Sequence, residues 1–315
     1  MGTFVYKRYL RSKGLAKKVF FYLRKLIILL GGDPACNMLV FNRVLAMPLS
    51  HEIAANLSLH EYYDRLPSRI ANFVRDKCHF LKCIDVGANV GDSIAAFECS
   101  DTDHFIAIEP NLSFKKFLDL NWGANQNIKT ISTICSSGEG FNNYKISEKG
   151  GTASIAVCAE GEFMASMSLD AILELHGFFS NSNVLKIDTD GYDFQVIAGA
   201  KNFISKYLPA ILFECGEFAN GNFINDFLNA CFFFKEAGYS QYLVYDNKGY
   251  LMGIYSLADL KAQQNLLTYL INGGCSYYDI LVMVDKDLKV FYQNEIGFFM
   301  GSKRDELLNM GGDLV

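Results

Sequence analysis

The chain has few prolines, 5 in 315 residues, and its 26 glycines follow no repeat period. Collagen-like and low-complexity architectures are thereby excluded. Nine cysteines include no C-x-x-C pair and make an odd total. That pattern fits free thiols in a reducing compartment rather than a disulfide framework or a zinc site. Cys83, Cys135 and Cys215 lie in apolar runs, where cysteine behaves as a small hydrophobe. None of the five histidines stands in ligand spacing with another metal-binding side chain, so no metal is expected from them. Long apolar runs are missing too. The best candidate, Val19 to Leu30, is broken by Arg24 and Lys25 and is shorter than the roughly 20 residues that cross a bilayer. A signal peptide is not expected, because only Leu26 to Leu30 is uninterrupted and no small-residue cleavage site follows.

Acidic residues are absent before Asp33, while Lys7, Arg8, Arg11, Lys13, Lys17, Lys18, Arg24 and Lys25 are all basic. With a net charge of −5 for the whole chain, the remainder is clearly acidic, and nucleic-acid binding by the main body is not expected. The basic arm also carries Phe20, Phe21, Tyr22, Leu26, Ile27 and Leu29. Two readings stand for it: a solvated or capping helix, and a segment lying on an anionic membrane surface. The expected location is cytoplasmic, with membrane contact confined to that arm.

What is present is a globular balance, 50% hydrophobic and 20% charged, with length for one large domain or two small ones. From about residue 80, short apolar runs alternate with amphipathic stretches: strands at Leu81–Val86, Phe105–Ile108, Ile128–Ile134, Val184–Ile187 and Ala210–Phe213, and helices at Ser93–Cys99, Leu112–Leu120, Phe194–Phe203 and Asn222–Ala237. This alternation predicts an α/β fold with a parallel sheet covered on both faces. Hairpins are expected at Phe141–Ile146 with Thr152–Val157, and around Asn247-Lys248-Gly249. A helix over Leu257–Ile271 and a last strand over Tyr278–Val284 follow. The expected organisation is a helical N-terminal extension (1–78) with its basic arm, a central domain (79–286) and a C-terminal tail (287–315).

Two segments carry chemistry. Asp85-Val86-Gly87-Ala88-Asn89-Val90-Gly91 follows the first strand, and Glu109 ends the next one, twenty-four residues beyond Asp85. Glycines there let the backbone turn sharply and approach a ligand, and an acid at the second strand end can accept hydrogen bonds from ribose hydroxyls. A dinucleotide site wants G-x-G-x-x-G, but Asn89 stands where its middle glycine would be. A nucleoside with an amino-acid end and no pyrophosphate, such as S-adenosylmethionine, suits the pattern better. The competing reading is a glycine turn with a buried capping acid.

The second segment is Lys186-Ile187-Asp188-Thr189-Asp190-Gly191-Tyr192-Asp193. Three carboxylates crowd the end of a strand, where open parallel sheets bind ligands. Asp188 and Asp190 can perturb each other so that one acts as a base, or can cap the following helix; for Asp193 the cap is the better reading.

Together with Ser168-Leu169-Asp170, Gly199-Ala200, Pro209 to Glu214 and Tyr277-Tyr278-Asp279-Ile280-Leu281, these motifs resemble the FkbM family of S-adenosylmethionine-dependent methyltransferases over about Leu81 to Val284. The resemblance implies a class I methyltransferase fold, a Rossmann-like seven-stranded mixed sheet with its last strand antiparallel. It also implies O-methylation of a hydroxyl, commonly on a sugar, lipid-linked saccharide or polyketide. The family usually carries glutamate where Asp190 and Asp193 stand here, which bears on substrate reach.

On this reading Asp85, Gly87, Asn89 and Gly91 hold the methionine end of the cofactor and Glu109 its ribose. Cys135 and Ser136 lie near adenine. Asp188 is nearest the methyl, and Asp190 is the base or hydroxyl acceptor. His176 is an alternative base, although a lone histidine after a helix is more often a cap. Clustered carboxylates would also suit Mg²⁺ or Ca²⁺, though nothing in the sequence requires a metal. Tyr192, Phe218, Tyr255, Tyr277 and Tyr278 stand near strand ends, where rings could meet a sugar or simply pack. Two other functions compete: a nicotinamide-dependent dehydrogenase, and a non-enzymatic methyltransferase-like scaffold in glycan assembly.

Overall fold

The computed structural model describes residues 1–218 and 220–301. Eight strands form its main sheet: β1 (Lys82–Val86), β2 (His104–Ile108), β3 (Ile128–Ile131), β4 (Val184–Ile187), β5 (Ala210–Cys215), β6 (Gln241–Asp246), β7 (Leu251–Ser256) and β8 (Tyr278–Val282). Their order across the sheet is β7-β6-β8-β5-β4-β1-β2-β3. The five strands from β3 to β5 run parallel, β8 is antiparallel to both β5 and β6, and β7 returns antiparallel on β6. This is the class I methyltransferase order with one additional edge strand.

Both faces of the sheet are covered, which explains why β1 and β4 are buried at every position. Alternate residues feed two cores. Ile84, Val86, Ile106, Leu185, Ile187, Ile211 and Phe213 pack against Leu169, Ile172, Phe194, Phe203, Phe227 and Phe234. Cys83, Phe105, Ala107, Val184 and Leu212 face the opposite way, against Phe114, Trp122 and a large part of the N-terminal region, including Tyr6, Met38, Met47 and Ile70. The extension therefore builds one of the two cores.

That extension is not purely helical. Between the helices Gly2–Arg11, Gly14–Gly31, Ile53–Leu59 and Leu66–Cys78 lies an antiparallel hairpin, Ala35–Val40 with Arg43–Pro48. Its strand Ala35–Val40 alternates exposed and buried positions, so half of it faces solvent.

Smaller differences from the sequence reading have local causes. The stretch expected as one helix over Phe194–Phe203 is two, Asp193–Ala198 and Lys201–Tyr207, broken at Gly199. There a Cβ would fall 1.9 Å from the Ser136 carbonyl oxygen. The insertion hairpin gains a third long strand, and Gly140–Lys149, Thr152–Val157 and Glu162–Met167 form a small sheet with Ile134–Cys135. The tail begins as a helix, Asp285–Met300, and its residues from 302 onward lie outside the described part.

Candidate active site

A cavity of about 350 Å³ opens at the carboxyl ends of β1, β2, β4 and β5, within the range of small-ligand sites. The glycine turn after β1 supplies Gly87 and Asn89, the end of β2 supplies Glu109, and the loop after β4 supplies Asp188 and Asp190. The hairpin tip at Gly150 and Gly151 and the extension segment from His51 to Pro67 complete its walls.

The turn is shaped for packing. Gly87 has φ +82°, and a Cβ there would lie 1.8 Å from the carbonyl oxygen of Asp188. Only glycine lets the turn rest on the end of β4. Gly91 (φ +85°) lies against the Trp122 indole, whose Nε1 donates to the Gly91 carbonyl at 2.9 Å. The helix that follows, Asp92–Ala96, has only five residues.

Around the turn the polar groups are closely matched. Glu109 is buried, and its two oxygens accept the backbone N–H of Asn89 and of Asn111, each at 2.8 Å. Each oxygen keeps a further lone pair for a ribose hydroxyl. Burial pushes the Glu109 carboxyl up to about 7, against those two N–H donors. The Asn89 amide donates to the Gly151 carbonyl at 2.6 Å, and its Oδ1 lies 3.3 Å from His51 Nε2. The Ile53 N–H points at His51 Nδ1 at 3.3 Å. Together these contacts define a neutral imidazole protonated on Nε2. Burial accordingly lowers His51 to about 4. Asn111 donates to Glu148 on the hairpin at 2.7 Å, and Glu52 N–H donates to the Gly150 carbonyl at 3.1 Å. Extension and hairpin thus meet over the turn.

The other end of the cavity differs. Asp85 and Lys186 are register partners on β1 and β4, and Glu214 and Asp279 on β5 and β8. Lys186 Nζ donates to Asp188 at 2.9 Å and lies 3.5 Å from Asp85. Burial opposes its charge, but Asp188 and Asp85 outweigh that and hold its pKa well above the usual lysine value. Asp64 arrives from the extension and Asp92 from the helix after the turn, and both line the cavity. Burial, reinforced by neighbouring carboxylates, raises Asp64 to about 7 and holds Glu214 and Asp279 well above the ordinary range. Asp190 also rises to about 7 through burial and the nearby charges of Asp188 and Asp193. Asp92 Oδ1 and Glu214 Oε2 are buried oxygens without a hydrogen-bond donor among the described residues.

The structure thus brings Gly87, Asn89, Glu109, Asp188 and Asp190 to one cavity. Asp85 is fully buried behind Lys186, and Gly91 is held by Trp122; neither lines the cavity. Cys135 is buried in the apolar core on the other face of the sheet, and the Ser136 hydroxyl turns back to the Gly138 carbonyl; both also lie outside the lining. Asp193 accepts from the Thr189 hydroxyl at 2.7 Å and from the Thr189 and Gly191 N–H groups, holding the loop after β4. His176 caps the helix Leu169–Leu175, away from the cavity. Of the five aromatic candidates, Tyr277 lines it. Lining residues not predicted from sequence include His51, Tyr63, Asp64, Asp92, Lys186, Glu214 and Asp279. Asp92, Glu214 and Asp279 carry a positional signal, standing just past the glycine turn or at the ligand-facing ends of strands. Asp64, in a loop of the extension, carries none. Among the described residues no group of three or more His, Cys, Asp or Glu is arranged to hold a metal ion.

The strand order, with its antiparallel strand between β5 and β6 and a cavity at the switch point, defines a class I methyltransferase fold. Residues 85–240, just under half of the chain, match the family model described as methyltransferase FkbM domain. S-adenosylmethionine is the cofactor that family and fold define. The residues fit it: Glu109 has free lone pairs at the ribose position, and buried oxygens of the lining await donors.

The chain is similar in fold to the methyltransferase FkbM of Methylobacillus flagellatus KT (14% identity, 57% of this chain and 45% of that one, TM-score 0.37), of whose length it spans less than half. It is likewise similar to a precorrin-6y C5,15-methyltransferase of Geobacter metallireducens GS-15 (12% identity, 69% and 87%, TM-score 0.36). A third similar structure is M. jannaschii TYW2 in complex with AdoMet (12% identity, 79% and 85%, TM-score 0.37). No curated protein matches the chain.

Proposed function

We propose that the protein transfers a methyl group from S-adenosylmethionine to a hydroxyl of a saccharide-type acceptor. The observation that carries this reading is the cavity's division into a paired end at the glycine turn and a carboxylate-rich end at the strand ends beyond Lys186. Glu109 and the turn residues at the paired end hold the ribose and the methionine portion. The bound cofactor supplies an electrophilic methyl carried on a sulfonium. At the carboxylate-rich end, Asp64, Asp188, Asp190, Glu214 and Asp279 present acceptor oxygens to a ligand rich in O–H donors. Above about pH 7, where Asp64 and Asp190 ionise, they also disfavour a phosphate-bearing acceptor by like charge.

Asp190 acts as the base that takes the hydroxyl proton. With its pKa at about 7 it is poised near the working pH, where general-base catalysis is most effective. Lys186 donates to Asp188 beside it and orients it. The extension, through Asp64 and Tyr63, narrows the acceptor end and helps exclude water.

The test is incubation with methyl-labelled S-adenosylmethionine and a panel of neutral saccharides, nucleotide sugars and saccharide extracts, read by mass spectrometry. A neutral saccharide should gain the mass of one methyl for one hydrogen. Asp190→Asn should lower turnover by about 10²- to 10⁴-fold while S-adenosylhomocysteine still raises the unfolding temperature. Transfer to nucleotide sugars alone, or full turnover by Asp190→Asn, would reject the acceptor and base assignments respectively. The family match removes the nicotinamide alternative.

A further inference from the structure

The helix Gly14–Gly31 has two unlike faces. Arg24 is buried on the inward one. Its guanidinium donates to the Leu49 carbonyl at 2.7 Å and the His51 carbonyl at 3.1 Å, and lies over the Tyr6 ring. Ile27 and Ile28 pack beside it against the core. The outward face carries Leu15, Val19, Tyr22, Leu26, Leu29 and Leu30, all exposed. These positions recur at the spacing of one helical stripe, with Leu23 on the same side. Leu15, Leu29 and Leu30 are each at least 77% exposed. An amphipathic helix ordinarily turns its leucine stripe to the core; here the stripe faces solvent, which marks an interaction surface.

Charge identifies what that surface meets. Lys18 and Lys25 border the stripe, and Lys7, Arg8 and Arg11 are exposed on the preceding helix, Gly2–Arg11. No carboxylate precedes Asp33, although the whole chain carries −5. A second copy docking through the same face would set one basic patch against another. A nucleic-acid backbone would leave the leucines in water. An anionic bilayer takes both features, aliphatic side chains at the acyl boundary and lysines at the headgroups. The acidic remainder of the chain is repelled from such a surface, which favours approach by this face.

We infer that the helix Gly14–Gly31 is a peripheral membrane-docking element that seats the enzyme on anionic lipid. Arg24 ties it to His51, which lines the cavity, so the docking helix is joined to a wall of the site. This docking is independent of which hydroxyl is methylated.

The test is co-sedimentation of the full chain with phosphatidylserine–phosphatidylcholine vesicles and with pure phosphatidylcholine vesicles, at low and high salt. Binding should require phosphatidylserine and weaken as salt rises. The Leu26→Glu/Leu29→Glu variant should abolish it, and Lys18→Glu/Lys25→Glu should lower partitioning by roughly tenfold or more. Both variants alter exposed side chains, so their unfolding temperatures and S-adenosylhomocysteine binding should match the parent. Failure of the parent to bind phosphatidylserine vesicles, or undiminished binding by the leucine variant, would overturn the inference. So would a parent dimer that the leucine variant dissociates without any vesicle binding, which would make the stripe a chain–chain interface.

Discussion

The two ends of the cavity are built on opposite principles. At the glycine turn the protein completes its own hydrogen bonding: Glu109 takes two backbone N–H groups, and Asn89 bridges His51 and Gly151. At the strand ends beyond Lys186, carboxylates crowd one another, and buried oxygens of Asp92 and Glu214 have no donor among the described residues. A satisfied polar network fixes geometry, whereas an unsatisfied one stores a cost that a ligand can relieve. The contrast marks the turn as preorganised and the strand ends as the place where a donor-rich ligand would relieve a cost, which is the basis of the proposed acceptor assignment.

The comparison is broken most severely at Lys186. It is the cation between Asp85 and Asp188, and Asp85 has no exposure to water. Lys186→Met leaves the buried Asp85 without that partner and should cost about 3–5 kcal/mol of stability in urea denaturation near pH 8. The loss should shrink at about pH 5, because a carboxyl already near 6 beside lysine takes a proton readily once the lysine is gone. An equal loss at both pH values would place the damage in packing rather than charge.

A milder perturbation is pH itself. Asp64 and Asp190 stand at about 7 and Asp92 at about 6 in the fold, against an ordinary 3.8. The folded chain therefore holds protons that the unfolded chain has released across that interval. Stability contributed by these groups is full below the unfolded value and is lost as pH rises through the folded one. The unfolding temperature of the ligand-free protein should fall between about pH 5 and pH 8. Asp64→Asn should raise it at the upper end and flatten the slope, and a steeper slope in that variant would contradict the assignment. The paired end contributes in the same direction through Glu109, at about 7, whereas His51, lowered to about 4 in the fold from an ordinary 6.5, opposes it between pH 5 and about 6.5, where the unfolded imidazole is protonated and the folded one is not.

The same contrast explains what was legible in the sequence. The strands β1, β2, β4 and β5 were readable because both of their faces are buried, leaving short apolar runs with an acid or glycine at the carboxyl end. Glu109 could be placed because strand, turn, helix and strand fix its distance from Asp85. The hairpin Ala35–Val40 with Arg43–Pro48 could not, since one face is in water and its alternation is short. The acceptor end was only partly visible. Glu214 and Asp279 stand at strand ends in the sequence, but only the antiparallel pairing of β5 with β8 sets them opposite each other. Asp64 depends on an extension folding back over the sheet, a tertiary event with no local signature. Asp85 shows the reverse: its position in the motif suggested ligand contact, yet its register with Lys186 turns it to an internal ion pair.

The smallest expected effect sharpens the comparison at the paired end. In Asn89→Ala the Gly151 carbonyl loses its 2.6 Å donor and His51 Nε2 loses its acceptor, both in buried surroundings. Unmaking such bonds costs about 1–2 kcal/mol. The cost falls where the hairpin tip meets the extension rather than in either core, so it should appear as local opening. Hydrogen exchange should quicken at the Glu52 amide, which donates to the Gly150 carbonyl, while exchange in β1 and β4 stays unchanged. S-adenosylhomocysteine affinity should drop severalfold because the turn no longer arrives fixed, whereas the pH slope set by Asp64 and Asp190 should remain. A variant that instead altered that slope, leaving exchange at Glu52 as before, would show that the two ends are one network and not two.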